Sequence, residues 1–230
     1  TTASTTVTIT KATTLVASAR DVTKPAPSIS GGTTLKSASQ SLTLKATDGV
    51  GVTAYYFGTS STGGTYTTIT ATTSMSITQS VTAAGTYYLY VKDAAGNVNS
   101  TSITIVSYKV NNLLETVAGT TGTYTSANYT SKDSNTYIVK SGTSLTLANT
   151  YTLPTEAVEA ENFKGYSISY GTSAASMTNT APTINAGTTY YMWFNRKTFP
   201  TTISKPTHGS ITVETVTKTG NSTTVASGAS

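Results

Sequence analysis

Gly85-Thr86-Tyr87-Tyr88-Leu89-Tyr90-Val91-Lys92-Asp93-Ala94-Ala95-Gly96-Asn97 reads as one β-strand running into one tight turn. Leu89 and Val91 fall on one face and Lys92 on the other, as the two-residue period of a strand requires. The run then breaks at Asp-Ala-Ala-Gly-Asn, where Gly96 and Asn97 supply the backbone angles a tight turn needs. About 70 residues earlier stands Asp21-Val22-Thr23-Lys24-Pro25, followed by Pro27. These prolines force an extended segment and set a boundary near 20–27.

Between the two motifs, strand-like pieces come at the short spacing of a sandwich. They are Leu42-Thr43-Leu44, Val52 to Phe57, Ile69 and Met75-Ser76-Ile77, with Ile103-Thr104-Ile105 following the second motif. Gly31-Gly32, Gly49, Gly51 and the hairpin candidate Gly63-Gly64 mark the turns. A second unit, from about Lys109 to Lys197, carries Tyr137-Ile138-Val139, Leu145-Thr146-Leu147, Tyr166 to Tyr170 and Tyr190 to Phe194 as strands. Glu156 to Phe163 reads as a short helix.

Composition supports an all-β chain. Of 230 residues about a quarter are Thr, 15 are Tyr, 4 are Phe and only 10% are charged, against a usual charged share of about a quarter. Thr and Tyr suit a pleated surface with one wet face. There is no Cys, which excludes disulfides and thiolate metal sites. The 14 Lys/Arg stand singly among 9 Asp/Glu, without the basic stripe of a nucleic-acid binder. No apolar run approaches the roughly 18 residues of a membrane span, so no nucleic-acid partner and no membrane span are expected.

The first unit resembles the bacterial immunoglobulin-like surface module. The resemblance rests on Asp-x-Thr-x-Pro at Asp21–Pro25, on Ala46-Thr47-Asp48 before Gly-Val, and on Gly85 to Asn97. The second unit is similar to the internalin-type B repeat, a β-grasp-like surface module. That similarity rests on Leu153-Pro154, Phe163-Lys164-Gly165-Tyr166 and Ile184 to Trp193, with Ser169-Tyr170-Gly171 where the family usually carries Gly-Trp. The resemblances imply an immunoglobulin-like sandwich over 22–108, then a β-grasp-like or second sandwich domain over 109–198. Residues 1–21 read as an end strand or the tail of a preceding module. Residues 199–230 read as a partial third module or an exchanged hairpin. The implied role is a non-enzymatic, extracellular part of a Gram-positive cell-surface adhesin, stalk or filament, drawn from a tandem array of different modules. Its partners would be neighbouring modules, identical subunits, or host or cell-wall glycans.

Three sets of residues are candidates for binding. Asp21, Asp48, Asp93 and Asn97 lie in turns or at a junction and offer the oxygen ligands that suit calcium. Related surface modules sometimes bind that ion at junctions. Tyr56, Tyr88 and Tyr191 are the outward members of tyrosine pairs and are candidates for stacking on a glycan; a carbohydrate-binding module is the alternative function. Val7, Ile9, Ile203, Ile211 and Val213 lie in end segments suited to strand exchange with a neighbour. Catalysis finds little support. His208, the single histidine, sits in a Pro-Thr-His-Gly turn, and Glu156, Glu159 and Glu161 read as one solvated face. A Lys–Asn cross-link would need an inward lysine, whereas Lys45 and Lys92 face away from their apolar neighbours and only Lys140 stays open.

Overall fold

Pro25 and Pro27 hold the chain extended as it enters the first strand. The computed structural model describes residues 19–115, 129–131, 135–146, 160–168 and 177–196, with isolated positions near both ends. Nine strands follow in order: β1 (Ala26–Gly31), β2 (Gln40–Gly58), β3 (Thr67–Val81), β4 (Gly85–Asp93), β5 (Val98–Glu115), β6 (Tyr129–Ser131), β7 (Thr136–Lys140), β8 (Ala160–Ser167) and β9 (Thr188–Arg196). Among the described residues the protein is all-β, and no helix is long and apolar enough to cross a membrane.

The strands form one mixed sheet, ordered β1-β2-β4-β5-β9-β8, with β3 on β2 and with β6 and β7 on β5. All pairings are antiparallel except β5 with β9, which run parallel from Tyr108 opposite Thr188 to Leu114 opposite Phe194.

Strand β2 changes partners along its length. Residues 42–47 pair with β1 and residues 52–58 with β4, while β3 pairs with both halves, from Gln40 opposite Val81 to Tyr55 opposite Thr67. The register shift between Thr47 and Val52 separates the halves and bends the strand, as bulges do. Leu42 and Leu44 from the first half then share one core with Leu89 and Val91 of β4 and Ile103 and Ile105 of β5. One cluster can receive side chains from both halves only if the sheet folds over on itself. In keeping with this, β1 lies against β5 without pairing to it.

Strand β5 runs unbroken from the first unit into the second. Residues 98–105 pair with β4, and residues 108–114 pair with β9, so position 108/109 falls within a continuous strand. Val106, Tyr108 and Val110 alternate inward to a second core with Val139, Leu145, Ile184 and Met192. Leu35, from the loop after β1, joins that second core, and Ile138 of β7 joins the first. Buried Gln40 adds a polar tie: its Nε2 donates to Ile138 O at 2.7 Å and to Thr34 O at 2.6 Å. The Lys36 N–H likewise donates to Tyr108 Oη at 2.9 Å.

Two expectations change. Ala160 to Phe163 is extended, not helical, because β8 pairs with β9 from Ala160 opposite Arg196 to Ser167 opposite Tyr191. Sheet hydrogen bonding here overrides the helix propensity of Ala and Glu. At Leu145-Thr146-Leu147 the described residues make no strand; Ser144 forms a lone bridge to Thr183, and Leu147 lies outside the described residues.

Trp193 is fully buried against Leu113 and Tyr129, and its indole Nε1 donates to Ser167 Oγ at 2.8 Å.

Candidate metal centre

The bend in β2 and the turn after β4 come together at one end of the folded sheet. At the bend, Asp48 Oδ1 accepts from the N–H of Val50 at 3.0 Å and of Gly51 at 2.9 Å. Gly51 takes φ +105°, a conformation side chains rarely adopt, which lets the strand resume immediately. At the turn, Asp93 Oδ1 accepts from the Asn97 N–H at 2.8 Å and Oδ2 from Asn97 Nδ2 at 2.8 Å. The Ala94 N–H donates to Gly51 O at 2.9 Å and ties bend to turn.

The segment ahead of β1 lies across this end. Asn97 Nδ2 donates to Asp21 O at 3.2 Å and Thr23 O at 3.0 Å, and Asn99 Nδ2 donates to Pro25 O at 2.9 Å. Alternate side chains of one strand region thus hold alternate carbonyls of residues 21–25. Asp21 Oδ1 accepts from the Thr23 N–H at 3.0 Å and fixes the segment's local turn.

Asp21, Asp48 and Asp93 converge here. One carboxylate oxygen of each lies within 4.8 Å of the other two. Asp48 is 8% exposed and Asp93 1%. Asp48 Oδ2 and Asp21 Oδ2 are buried without a hydrogen-bond partner. Burial opposes ionisation of Asp93, but the Asn97 side chain and the backbone N–H groups of Asn97, Gly96 and Ala95 outweigh it and hold the carboxyl below its ordinary range. Unpartnered buried carboxylate oxygens facing like charge are costly. A calcium ion takes oxygens at roughly 2.3–2.6 Å, so two ligands on one ion stand up to about 5 Å apart. The three carboxylates fit that span. Asn97, expected as a ligand, turns its amide nitrogen onto two carbonyls and Asp93, so that group braces the site.

The other candidates fall elsewhere. Tyr56 and Tyr88 are half-buried on the outer face of β2 and β4, where Tyr56 stands opposite Tyr90 with ring centroids 6.2 Å apart. The Tyr66 hydroxyl is pushed up by burial and then by Tyr90. Tyr191 packs instead beside Trp193 and Leu113, so the three expected tyrosines do not form one platform. Val7, Ile9, Ile203, Ile211 and Val213 lie outside the described residues, as do Glu156 and Glu159. His208 is exposed in a bend, and Lys45, Lys92 and Lys140 are exposed.

Comparison with family models, with curated proteins and with solved structures finds no match.

Proposed function

We propose that the chain is a non-enzymatic structural part of a bacterial extracellular surface protein, an adhesin, stalk or filament, stiffened by calcium where it enters its first unit. The observation that carries this reading is the convergence of Asp21, from the leading segment, with Asp48 and Asp93 of the folded sheet. An ion held there ties the segment that precedes β1 to the body of the unit and removes a hinge. Extracellular modules bind calcium at about 10⁻⁴–10⁻³ M, so such a tie forms at millimolar calcium.

The sheet order supports the modular part of the reading. The folded-over arrangement of β1 to β5 suits an immunoglobulin-like sandwich. The order β6-β5-β9-β8, with β5 and β9 parallel, suits a β-grasp-like second unit. The shared β5 transmits tension through backbone hydrogen bonds, and no linker interrupts it.

Calorimetric titration of calcium into metal-stripped protein tests the proposal, with thermal unfolding followed in parallel. Saturable binding at one site, with a raised Tm, is expected. Absence of binding at millimolar calcium rejects it.

Carbohydrate binding is the second reading, favoured by Tyr56 and Tyr90 side by side on one outer face. Glycan-array binding that is lost in Tyr90→Ala supports it.

A further inference from the structure

Among the described residues β1, β3 and β6 each pair on one side only, whereas the Ile138 and Lys140 N–H groups of β7 also donate to Ser37 O and Gly32 O, and Tyr166 of β8 also bridges Thr178. A free edge is a template for another strand, and proteins guard such edges with proline, charge, bulges or shortness. Two of the three are guarded. β1 contains Pro27 and follows Pro25, and β6 has 3 residues. β3 is not. Over 15 residues, Thr67 to Val81, it has no charge, proline or glycine; its two register shifts against β2 fall before Ser74, and Ser74 to Val81 pair with β2 without interruption.

We propose that the free edge of β3 is a self-association surface, pairing antiparallel with β3 of a second copy about a two-fold axis. The occupant follows from charge and pattern. A neutral edge meets its own copy without repulsion, although the whole chain carries +5. Directly opposite residues in a sheet share a face, so a two-fold axis must pass through a residue for inner positions to meet inner ones. Centring on Ile77 sets Ile77 against its copy and Met75 against Gln79 on the inner face. On the exposed outer face it sets Ser76 against Thr78 and Ser74 against Ser80. Ile77 is partly buried at the rim of the first core, and its copy extends that cover. Serine and threonine pairs are favourable across strands. The contact is isologous and closes as a dimer.

The test uses the whole chain and its variants Ser76→Lys/Thr78→Lys and Ser76→Glu/Thr78→Glu. Both positions are exposed, and circular dichroism checks that each variant folds. Sedimentation equilibrium is expected to give a dimer for the wild type, a monomer for each charged variant alone, and a mixed dimer when the two are combined. A wild type that stays monomeric at submillimolar concentration overturns the proposal. So does a dimer that survives in the lysine variant, or a failure of the two charged variants to combine.

Discussion

Asn97 Nδ2 lies 3.2 Å from the backbone oxygen of Asp21, 76 residues earlier in the chain. The same nitrogen reaches Thr23 O and Asp93 Oδ2. One amide therefore holds the leading segment and orients one of the three converging carboxylates.

Asn97→Ala removes those donors together. Hydrogen bonds to neutral groups contribute about 1 kcal/mol each and those to charged groups about 1.5–3. A loss of about 2 kcal/mol is expected in urea unfolding. Limited proteolysis should cut near residues 21–25 faster than in the wild type.

Calcium should stabilise the wild type by about 2.7 kcal/mol at a hundredfold excess over Kd. Asp48→Asn keeps an oxygen able to accept from the Val50 and Gly51 N–H groups while removing one of three like charges. In chelator this variant should be as stable as the wild type or more so. In calcium the gain should vanish. Paired thermal melts read both results, and an unchanged calcium response would remove Asp48 from the ligand set.

Gln40→Leu deletes the tie from β2 to β7 and leaves Ile138 O without that donor. A cost of about 1–3 kcal/mol is expected for a buried group so stranded. Tyr108→Phe removes the acceptor of the Lys36 N–H and should cost about 1 kcal/mol. Because both contacts join the two units, each variant should separate unfolding of the second unit from that of the first, seen as two transitions in calorimetry.

Trp193 is the single tryptophan and is fully buried, so its fluorescence reports on the second unit. Ser167→Ala takes away the oxygen 2.8 Å from the indole nitrogen. A blue-shifted emission maximum and a stability loss of about 1–2 kcal/mol are expected. Emission that already indicates water contact in the wild type would contradict this packing.

The site was partly legible in sequence because its residues are turn formers beside glycine: Asp48 before Gly49 and Gly51, Asp93 and Asn97 around Gly96. Asn99 was not legible, since its amide acts on Pro25 O, 74 residues away, and nothing local marks it. Gln40 was missed for the same reason; it looks like a polar residue ahead of a strand, yet it is 1% exposed. The continuity of β5 left a signal in the alternation of Val106, Tyr108 and Val110, which runs straight through position 108/109. Ala160 to Phe163 misled because Ala and Glu favour helix locally, whereas pairing with β9 is non-local.

Composition and two-residue alternation, both local properties, determined that this protein is built of strands and where several of its turns fall, although Gly49 and Gly51 bend a continuous β2 and do not end it. The tertiary structure alone decided that β2 bends to share a core with β4 and β5 and that β5 joins two units. It also brings Asp21 to Asp48 and Asp93. Those outcomes depend on which strands pair across long separations, and pairing is set by the burial of whole faces, which no short stretch of sequence encodes.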